Sequence, residues 1–137
     1  DAVLDVGCGG GLPSVPLALL LPHLSVTGVD AVGKKAAFVN QAAIALGLKN
    51  LTARHARVEK MVGTWKAITS RAFASLADFT HLTMHLLASD GRWLAMKGVV
   101  PEDEIAALPS NVKVLAIEKL IVPGLEEERH LIVLGKE

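Results

Sequence analysis

The chain has 137 residues, a length that suits a single domain, and 51% of them are hydrophobic, enough for a well-covered core. The single cysteine, Cys8, excludes an internal disulfide and any cysteine-rich zinc site, and it fits a reducing cytosol. Prolines interrupt the apolar stretches before they reach membrane-spanning length, and no stretch resembles a signal peptide. We therefore expect a cytoplasmic protein with no membrane partner. We also expect a monomer.

The net charge is zero, but the charges are unevenly distributed. Residues 1–98 hold ten Lys or Arg and six Asp or Glu, whereas residues 99–137 hold four and eight. The first part is therefore basic and the second acidic. An excess of positive charge in the first part favours a polyanionic substrate such as a nucleic acid.

Strand-like and helix-like segments alternate along the chain. Helices are predicted near 13–21, 34–46, 75–88 and 102–107, and the pair Asp90-Gly91 predicts a turn before the fifth strand. Strands are predicted near 2–6, 24–30, 51–55, 66–70, 91–97, 112–119 and 129–135. Because no helix separates the last two strands, the pattern predicts one α/β domain over 1–137: a mostly parallel sheet with an antiparallel hairpin at its edge.

The most informative stretch is the run D-V-G-C-G-G-G at residues 5–11, which follows the first strand. Glycine is needed where a backbone bends sharply or comes within contact distance of a ligand. The helix that follows offers unpaired N–H groups and a partial positive charge at its start. The turn therefore fits a nucleotide-like cofactor, and a purely structural turn is the alternative.

The spacing of the glycines indicates which cofactor. The pattern D-x-G-x-G-x-G begins at Asp5 and has its glycines at Gly7, Gly9 and Gly11. A dinucleotide fingerprint has Gly or Ala at the next position, where this chain has Leu12. A carboxylate suits the sulfonium and amino group of S-adenosylmethionine, whereas it would repel a pyrophosphate. The pattern is typical of class I S-adenosylmethionine-dependent methyltransferases.

Further candidate residues follow the other strands. Asp30 ends the second strand, where a carboxylate grips a ribose diol, although a helix-capping role is the alternative. Val58 and Glu59 follow the third strand and could contact an adenine, or Glu59 could simply face solvent. Arg71 follows the fourth strand, at the switch point of the sheet, and is the candidate catalytic residue; a surface salt bridge is the alternative, which its apolar neighbours disfavour. Phe73 could stack on a base or belong to the core.

Several basic residues lie at or after the ends of predicted strands, and two more begin a predicted helix. The helix dipole disfavours cations at a helix start, so the lysines there suit phosphate contacts. Together, these basic residues predict an RNA-binding rim made of Lys34, Lys35, Arg54, Arg57 and Lys97. No metal is expected, because the one pair of histidines at chelating spacing, His81 and His85, has no third ligand candidate.

Seven segments resemble, in order, one family of proteins. The stretches S-R-A-F-A-S-L at 70–76 and P-E-D-E-I at 101–105 are far more specific than the glycine turn. The others are L-D-V-G-x-G-x-G-L-P-x-x-P-L-A at 4–18, V-D-x-x-G-K-K at 29–35, R-V-E at 57–59, G-R-x-x-x-M-K-G at 91–98 and E-R-H-L at 128–131. Together they resemble the glucose-inhibited division protein B family, the methyltransferases of a guanine N7 in bacterial 16S rRNA.

The resemblance implies a class I methyltransferase fold with strand order 3-2-1-4-5-7-6 and 16S rRNA or the small ribosomal subunit as partner. It also implies S-adenosylmethionine contacts at Gly7, Leu12, Val58, Glu59 and Arg71. Lys35 stands where Arg is common in the family, and the family's amino-terminal helical segment is expected to be missing. A methyltransferase of another substrate and a non-catalytic nucleotide-binding module are the alternatives; intact Asp5, Gly7, Gly9 and Asp30 argue against the second.

Overall fold

A computed structural model describes residues 1–71, 74–121, 123–124 and 127–137. Its seven strands are β1 (Ala2–Val6), β2 (Ser25–Asp30), β3 (Leu51–His55), β4 (Trp65–Arg71), β5 (Leu87–Lys97), β6 (Val112–Leu120) and β7 (Arg129–Lys136). Its helices are α1 (Ser14–Leu20), α2 (Gly33–Ala45), α3 (Leu76–Thr83) and α4 (Glu102–Ala106), with short 3-10 turns at Val58–Lys60 and Met84–Leu86. The predicted alternation of strands and helices is confirmed.

The strands form one sheet in the order β3-β2-β1-β4-β5-β7-β6. The five strands from β3 to β5 are parallel, whereas β7 runs antiparallel to both β5 and β6. The α/β class, the antiparallel edge and the strand order that the resemblance implied are all confirmed. Because the parallel strands end at one edge of the sheet, the residues that follow β1, β2, β3, β4 and β5 meet there.

Two hydrophobic clusters build the core, one on each face of the sheet, because successive side chains of a strand point to opposite faces and the central strands are buried on both. One contains Leu4, Ile68 and Trp93 and packs against Phe79 of α3, while the other contains Val26 and packs against α1 and α2. The Trp93 Nε1 donates a hydrogen bond to the Thr83 hydroxyl at 2.9 Å, so the one polar group of the largest fully buried side chain has a partner. The glycine turn therefore stands on a sheet that is packed on both sides.

Two predicted boundaries in the middle of the chain are wrong. The third helix ends at Thr83, not 88, and β5 begins at Leu87, so Asp90-Gly91 lies inside a strand. Pairing shifts there, with Trp65 opposite Leu87 but Ala67 opposite Arg92, which makes a bulge. Gly91 is required because a β-carbon would lie 2.9 Å from the Lys66 carbonyl oxygen. The bulge thus uses the residue types that usually indicate a turn.

Candidate active site

The glycine turn is tied to the end of β2 by backbone hydrogen bonds. The N–H groups of Gly7 and Cys8 both donate to the Val29 carbonyl, at 2.8 and 3.2 Å, and Gly11 N donates to the Cys8 carbonyl at 2.7 Å. Gly7 and Gly11 both have φ of 74°, in the left-handed region that favours glycine. The predicted glycines are therefore the residues that let the chain turn between β1 and α1.

Asp30 holds the same turn through its side chain. Its Oδ2 accepts from Gly9 N at 3.0 Å, and its Oδ1 accepts from Val32 N at 2.9 Å, just before α2. A β-carbon at Gly9 would lie 2.9 Å from that Oδ2 and 2.6 Å from Cδ of Lys35. The helix-capping role that the sequence offered as an alternative is therefore present, since Asp30 accepts from the N–H just before α2. Its ribose role stays a prediction, since each oxygen retains a second acceptor position.

A cavity of about 290 Å³ opens beside this turn at the carboxyl edge of the sheet. It brings together Gly7, Asp30, Val58 and Glu59, four of the residues predicted to bind the cofactor. Arg57, predicted to contact RNA, also lines it, and so does Leu82 of α3. The further lining residues, which the sequence did not single out, are Val6, Val29, Ala31 and Ala56. The one feature of the sequence that could have identified them as cavity residues is their position at or just beyond the end of a strand.

Asp5 lies beneath the turn, outside the residues that line the cavity. Its side chain is buried, and its Oδ2 accepts a hydrogen bond from the Ser14 hydroxyl at the start of α1. Its Oδ1 is buried without a hydrogen-bond partner among the described residues. An orphaned acceptor at this position fits the amino group of a bound cofactor. Nearby, Cys8 is fully buried, and burial raises the pKa of its thiol to about 12, which disfavours the thiolate that a nucleophile requires.

The buried Asp5 predicts a pH-dependent stability. Burial raises the pKa of Asp5 from 3.8 to about 7, against the opposing effects of the Ser14 hydrogen bonds and the Arg71 charge. Between these values the folded state binds more protons than the unfolded state, so the free energy of unfolding falls as pH rises from about 4 to 7. We expect Asp5→Asn to lose this decline, which amounts to about 1.4 kcal/mol per pH unit where the group titrates fully.

Urea denaturation at pH 5 and pH 7 measures this decline in the wild type and in the variant. The exposed Asp103 of α4 provides a matched control, because Asp103→Asn should keep the wild-type difference between the two pH values. An equal decline in wild type and Asp5→Asn would show that Asp5 is ionised throughout this range.

Arg71 ends β4 beside the glycine turn. A β-carbon added at Gly10 would lie 3.7 Å from Nη2 of Arg71, so its guanidinium faces the turn from the neighbouring strand. Leu12, at the far side of the turn, is 46% exposed and free to contact a ligand. Phe73 lies outside the described residues. The structure thus brings Arg71 next to the turn, but on the opposite side from the cavity at Val58 and Glu59.

The predicted basic rim divides into two parts. Exposed side chains of α2, β3 and the residues after β3 contribute Lys34, Lys35, Arg54 and Arg57. Lys97 ends β5, on the other side of β1 in the sheet, and its side chain is only 17% exposed. Its ammonium donates to the Ala74 carbonyl at 2.8 Å and pairs with Glu104 at 3.1 Å. Lys97 therefore stands apart from the other four.

The described part of the chain offers no cluster of side chains for a metal ion. Within it, no three His, Cys, Asp or Glu residues lie closely enough together to hold one. Among the same residues, no helix has the length and apolarity needed to cross a membrane.

The sequence model of the GidB family, rRNA small subunit methyltransferase G, matches residues 1–132. The chain belongs to this family. The protein of that name from Acidovorax sp. (strain JS42) is 54% identical over 132 residues, which are 96% of this chain and 58% of the relative. The one from Methylibium petroleiphilum is 52% identical over 137 residues, 99% of this chain and 62% of the relative. The chain thus spans about three fifths of the curated relatives it matches, and the resemblance is confirmed.

Solved structures give the same fold at low sequence identity. TrmN from Thermus thermophilus superimposes with a TM-score of 0.81 at 22% identity, covering 99% of this chain and 44% of that one. Geranyl diphosphate C-methyltransferase from Streptomyces coelicolor, solved with S-adenosyl-L-homocysteine, gives a TM-score of 0.75 at 16% identity, covering 100% and 73%. These likenesses confirm the class I methyltransferase fold.

Proposed function

We propose that this chain is the catalytic domain of an S-adenosylmethionine-dependent methyltransferase that modifies N7 of a guanine in bacterial 16S rRNA. The observation that carries the proposal is the cavity at the glycine turn, where Gly7, Asp30, Val58 and Glu59 meet, in a chain of the rRNA small subunit methyltransferase G family. Since bacterial ribosomal subunits are assembled in the cytoplasm, the same proposal implies a cytoplasmic protein.

The residues of the cavity suit the parts of S-adenosylmethionine. Asp30, half-buried at the end of β2, has acceptor positions for the two ribose hydroxyls. Val58 is buried and Glu59 is exposed on the following 3-10 turn, so an adenine packs on the first and is read by the second. The orphaned Oδ1 of Asp5, buried below the turn, can accept from the amino group once the turn shifts to uncover it. When bound, the cofactor supplies the methyl group from a cationic sulfonium.

Methyl transfer to guanine N7 does not require a general base from the protein. N7 carries an in-plane lone pair and needs no deprotonation before attack, so the site has to align the reacting atoms and exclude water. N7 faces the deep major groove of paired RNA, which side chains cannot enter, so the target base is unpaired or splayed out. Arg71, facing the glycine turn, orients that base for attack.

Methylation of small ribosomal subunits tests this function directly. The full-length protein carrying this domain is incubated with S-adenosylmethionine and 30S subunits from a strain that lacks the modification. Mass spectrometry of nuclease-digested 16S rRNA should then show one N7-methylguanosine. Methyl transfer to another molecule would favour a different substrate. A thermal shift with NAD, and none with S-adenosylmethionine or S-adenosylhomocysteine, would contradict the cofactor assignment.

The basic rim provides a separate prediction about RNA binding. Lys34 and Arg54 are exposed and are not among the residues lining the cavity, so Lys34→Gln combined with Arg54→Gln should leave cofactor affinity unchanged. RNA affinity should fall, and the slope of log affinity against log salt should flatten by about 0.7 for each phosphate that the protein no longer neutralises. Titration of labelled 16S rRNA fragments at several salt concentrations measures both quantities.

The edge strand β6 provides the matched control for the rim. Lys113 and Lys119 are equally exposed but lie at the opposite end of the sheet from α2 and β3. Lys113→Gln combined with Lys119→Gln should keep the wild-type salt slope. Equal slopes in both double variants would mean that the rim is only a solvated face.

A further inference from the structure

Phe38 is an aromatic side chain that the fold leaves largely in solvent. It is 55% exposed, whereas the other aromatic side chains in the described part of the chain are at most 7% exposed. Helix α2 packs against the sheet through Ala36, Val39 and Ala43. With 3.6 residues per turn, Phe38 points away from that buried face. More than half of the surface of this side chain is therefore open to a ligand.

Positive charge accompanies the ring. Lys34 and Lys35 lie four and three residues before Phe38 on α2, the two spacings at which helical side chains are neighbours. Both lysines are exposed, and neither forms an ion pair with a described residue. Residues 31–57 hold five Lys or Arg and no Asp or Glu. The stretch that carries Phe38 is therefore cationic, and no acidic residue within it offsets the charge.

These residue types are unfavourable for folding at these positions. Cations at the start of a helix oppose its dipole, and an exposed phenylalanine forgoes the free energy of burial. Departures from such preferences are expected at functional sites, where a ligand makes the contacts that the fold does not. The ligand indicated here carries negative charge and a flat apolar group.

Single-stranded nucleic acid supplies both features, since its phosphates attract cations and its unpaired bases stack on aromatic rings. A lipid surface is a poorer match. The strip of α2 that faces away from the sheet consists of Lys34, Phe38, Gln41 and Ala45, with a single large apolar side chain. A helix that lies on a membrane needs a continuous apolar face. The outward side of α2 therefore fits one stacked base.

The start of α2 borders the glycine turn. A β-carbon at Gly9 would lie 2.6 Å from Cδ of Lys35, which places that lysine against the turn. At a rise of 1.5 Å per residue, Phe38 lies about 6 Å further along the helix axis than Lys34. An RNA strand whose target base is at the turn can therefore reach Phe38 with a nucleotide close to that target.

We propose that Phe38 is a stacking platform for an unpaired RNA base near the target guanine, with Lys34 and Lys35 on the adjoining phosphates. The inference rests on the proposed function, because it names a second contact of the same substrate. It adds to the basic rim a contact that depends on the single-stranded state of the RNA. Phosphate contacts alone attract paired and unpaired RNA alike.

Binding of a single-stranded 16S rRNA oligonucleotide to the full-length protein measures the stacking. Phe38→Leu keeps an apolar side chain without an aromatic face, Phe38→Ala removes the bulk as well, and both introduce better helix formers. For both we expect affinity to fall at least about fivefold, which corresponds to roughly 1 kcal/mol of stacking. The slope of log affinity against log salt should stay as in the wild type, because no charge is removed.

Two controls separate stacking from other effects. Ile117 of β6 is comparably exposed, at 43%, with Lys119 two residues further along, and Ile117→Ala should bind the oligonucleotide as the wild type does. The oligonucleotide annealed to its complement offers no unpaired base, so wild type and Phe38→Leu should bind the duplex equally. Wild-type affinity of Phe38→Leu for the single strand, or an equal loss on the duplex, would overturn the proposal.

Phe38→Trp reports directly on the surroundings of the ring, because Trp65 and Trp93 are buried. After subtraction of the wild-type spectrum, the indole at position 38 should emit as an exposed one in the free full-length protein, and the single strand should quench it. Ile117→Trp should show an exposed indole that RNA does not quench. A blue-shifted emission from position 38 that RNA leaves unchanged would mean that another part of the protein covers it, and the proposal would be wrong.

Methylation of 30S subunits, assayed separately, distinguishes the failure of this inference from that of the proposed function. If the wild type methylates no subunit but its binding of the single strand depends on Phe38, the function has failed and the stacking platform stands. If subunits are methylated and Phe38→Leu binds the single strand as the wild type does, the stacking platform alone has failed.

Discussion

Replacing Gly9 by alanine is expected to weaken S-adenosylmethionine binding at least about tenfold while the protein stays folded. The added β-carbon would lie 2.9 Å from Asp30 Oδ2 and from Cβ of Lys35, and the second of these atoms is fixed to the backbone of α2. The turn must therefore move away from Asp30 and lose the 3.0 Å bond from Gly9 N. Because the turn and Asp30 line the cofactor cavity together, this movement separates the groups that would hold the cofactor. The loss of one hydrogen bond between the cofactor and a charged group, about 1.5–3 kcal/mol, corresponds to a tenfold or larger change in affinity.

Gly10→Ala is the matched control for this experiment, because it adds the same methyl group one residue further along the same turn. There a β-carbon meets nothing closer than Nη2 of Arg71 at 3.7 Å, an ordinary contact. Isothermal titration with S-adenosylmethionine should give near wild-type affinity for Gly10→Ala and a clear loss for Gly9→Ala. Equal affinities in the two variants would separate the turn from cofactor binding.

The sequence predicts this turn well because the turn is local. The pattern D-x-G-x-G-x-G leaves position 10 free and requires glycine at 7, 9 and 11, and the structure shows a positive φ at two of these and a close approach at the third. The apolar run Ala2-Val3-Leu4 likewise places β1 at its observed bounds, Ala2–Val6. Short-range spacing is sufficient where backbone geometry alone decides the residue type.

Contacts between distant elements are where the sequence predictions fall short. Asp90-Gly91 has the composition of a turn, but the approach of the Lys66 carbonyl makes it a bulge within β5. Lys97 follows a strand as a phosphate-binding residue would, and nothing local shows that Glu104 and the Ala74 carbonyl receive its ammonium. Leu82 reaches the cavity only because α3 packs beside the 3-10 turn at Val58–Lys60. Each of these depends on packing across the sheet.

Arg71→Ala is expected to reduce the turnover of rRNA methylation roughly a hundredfold, with a much smaller effect on RNA affinity. Arg71 ends β4, the strand next to β1, and its guanidinium faces the glycine turn, so it lies where the target base must be aligned with the methyl group. Misplacing reacting groups by about 1 Å costs on the order of a hundredfold in rate. Arg71→Lys should recover little, because an ammonium lacks the planar, two-pronged donor geometry of a guanidinium.

Arg92 is the matched control, since it is an exposed arginine on β5 whose Nη1 donates to the carbonyls of Asp90 and Gly91, far from the carboxyl edge. Single-turnover methylation of 30S subunits should be slow in Arg71→Ala and unchanged in Arg92→Ala, with N7-methylguanosine quantified by mass spectrometry. Wild-type single-turnover rates in Arg71→Ala would remove Arg71 from the active site. Because a phosphate contact affects affinity and its salt dependence without lowering the rate at saturation, the same experiment separates Arg71 from Lys34 and Arg54 of the rim.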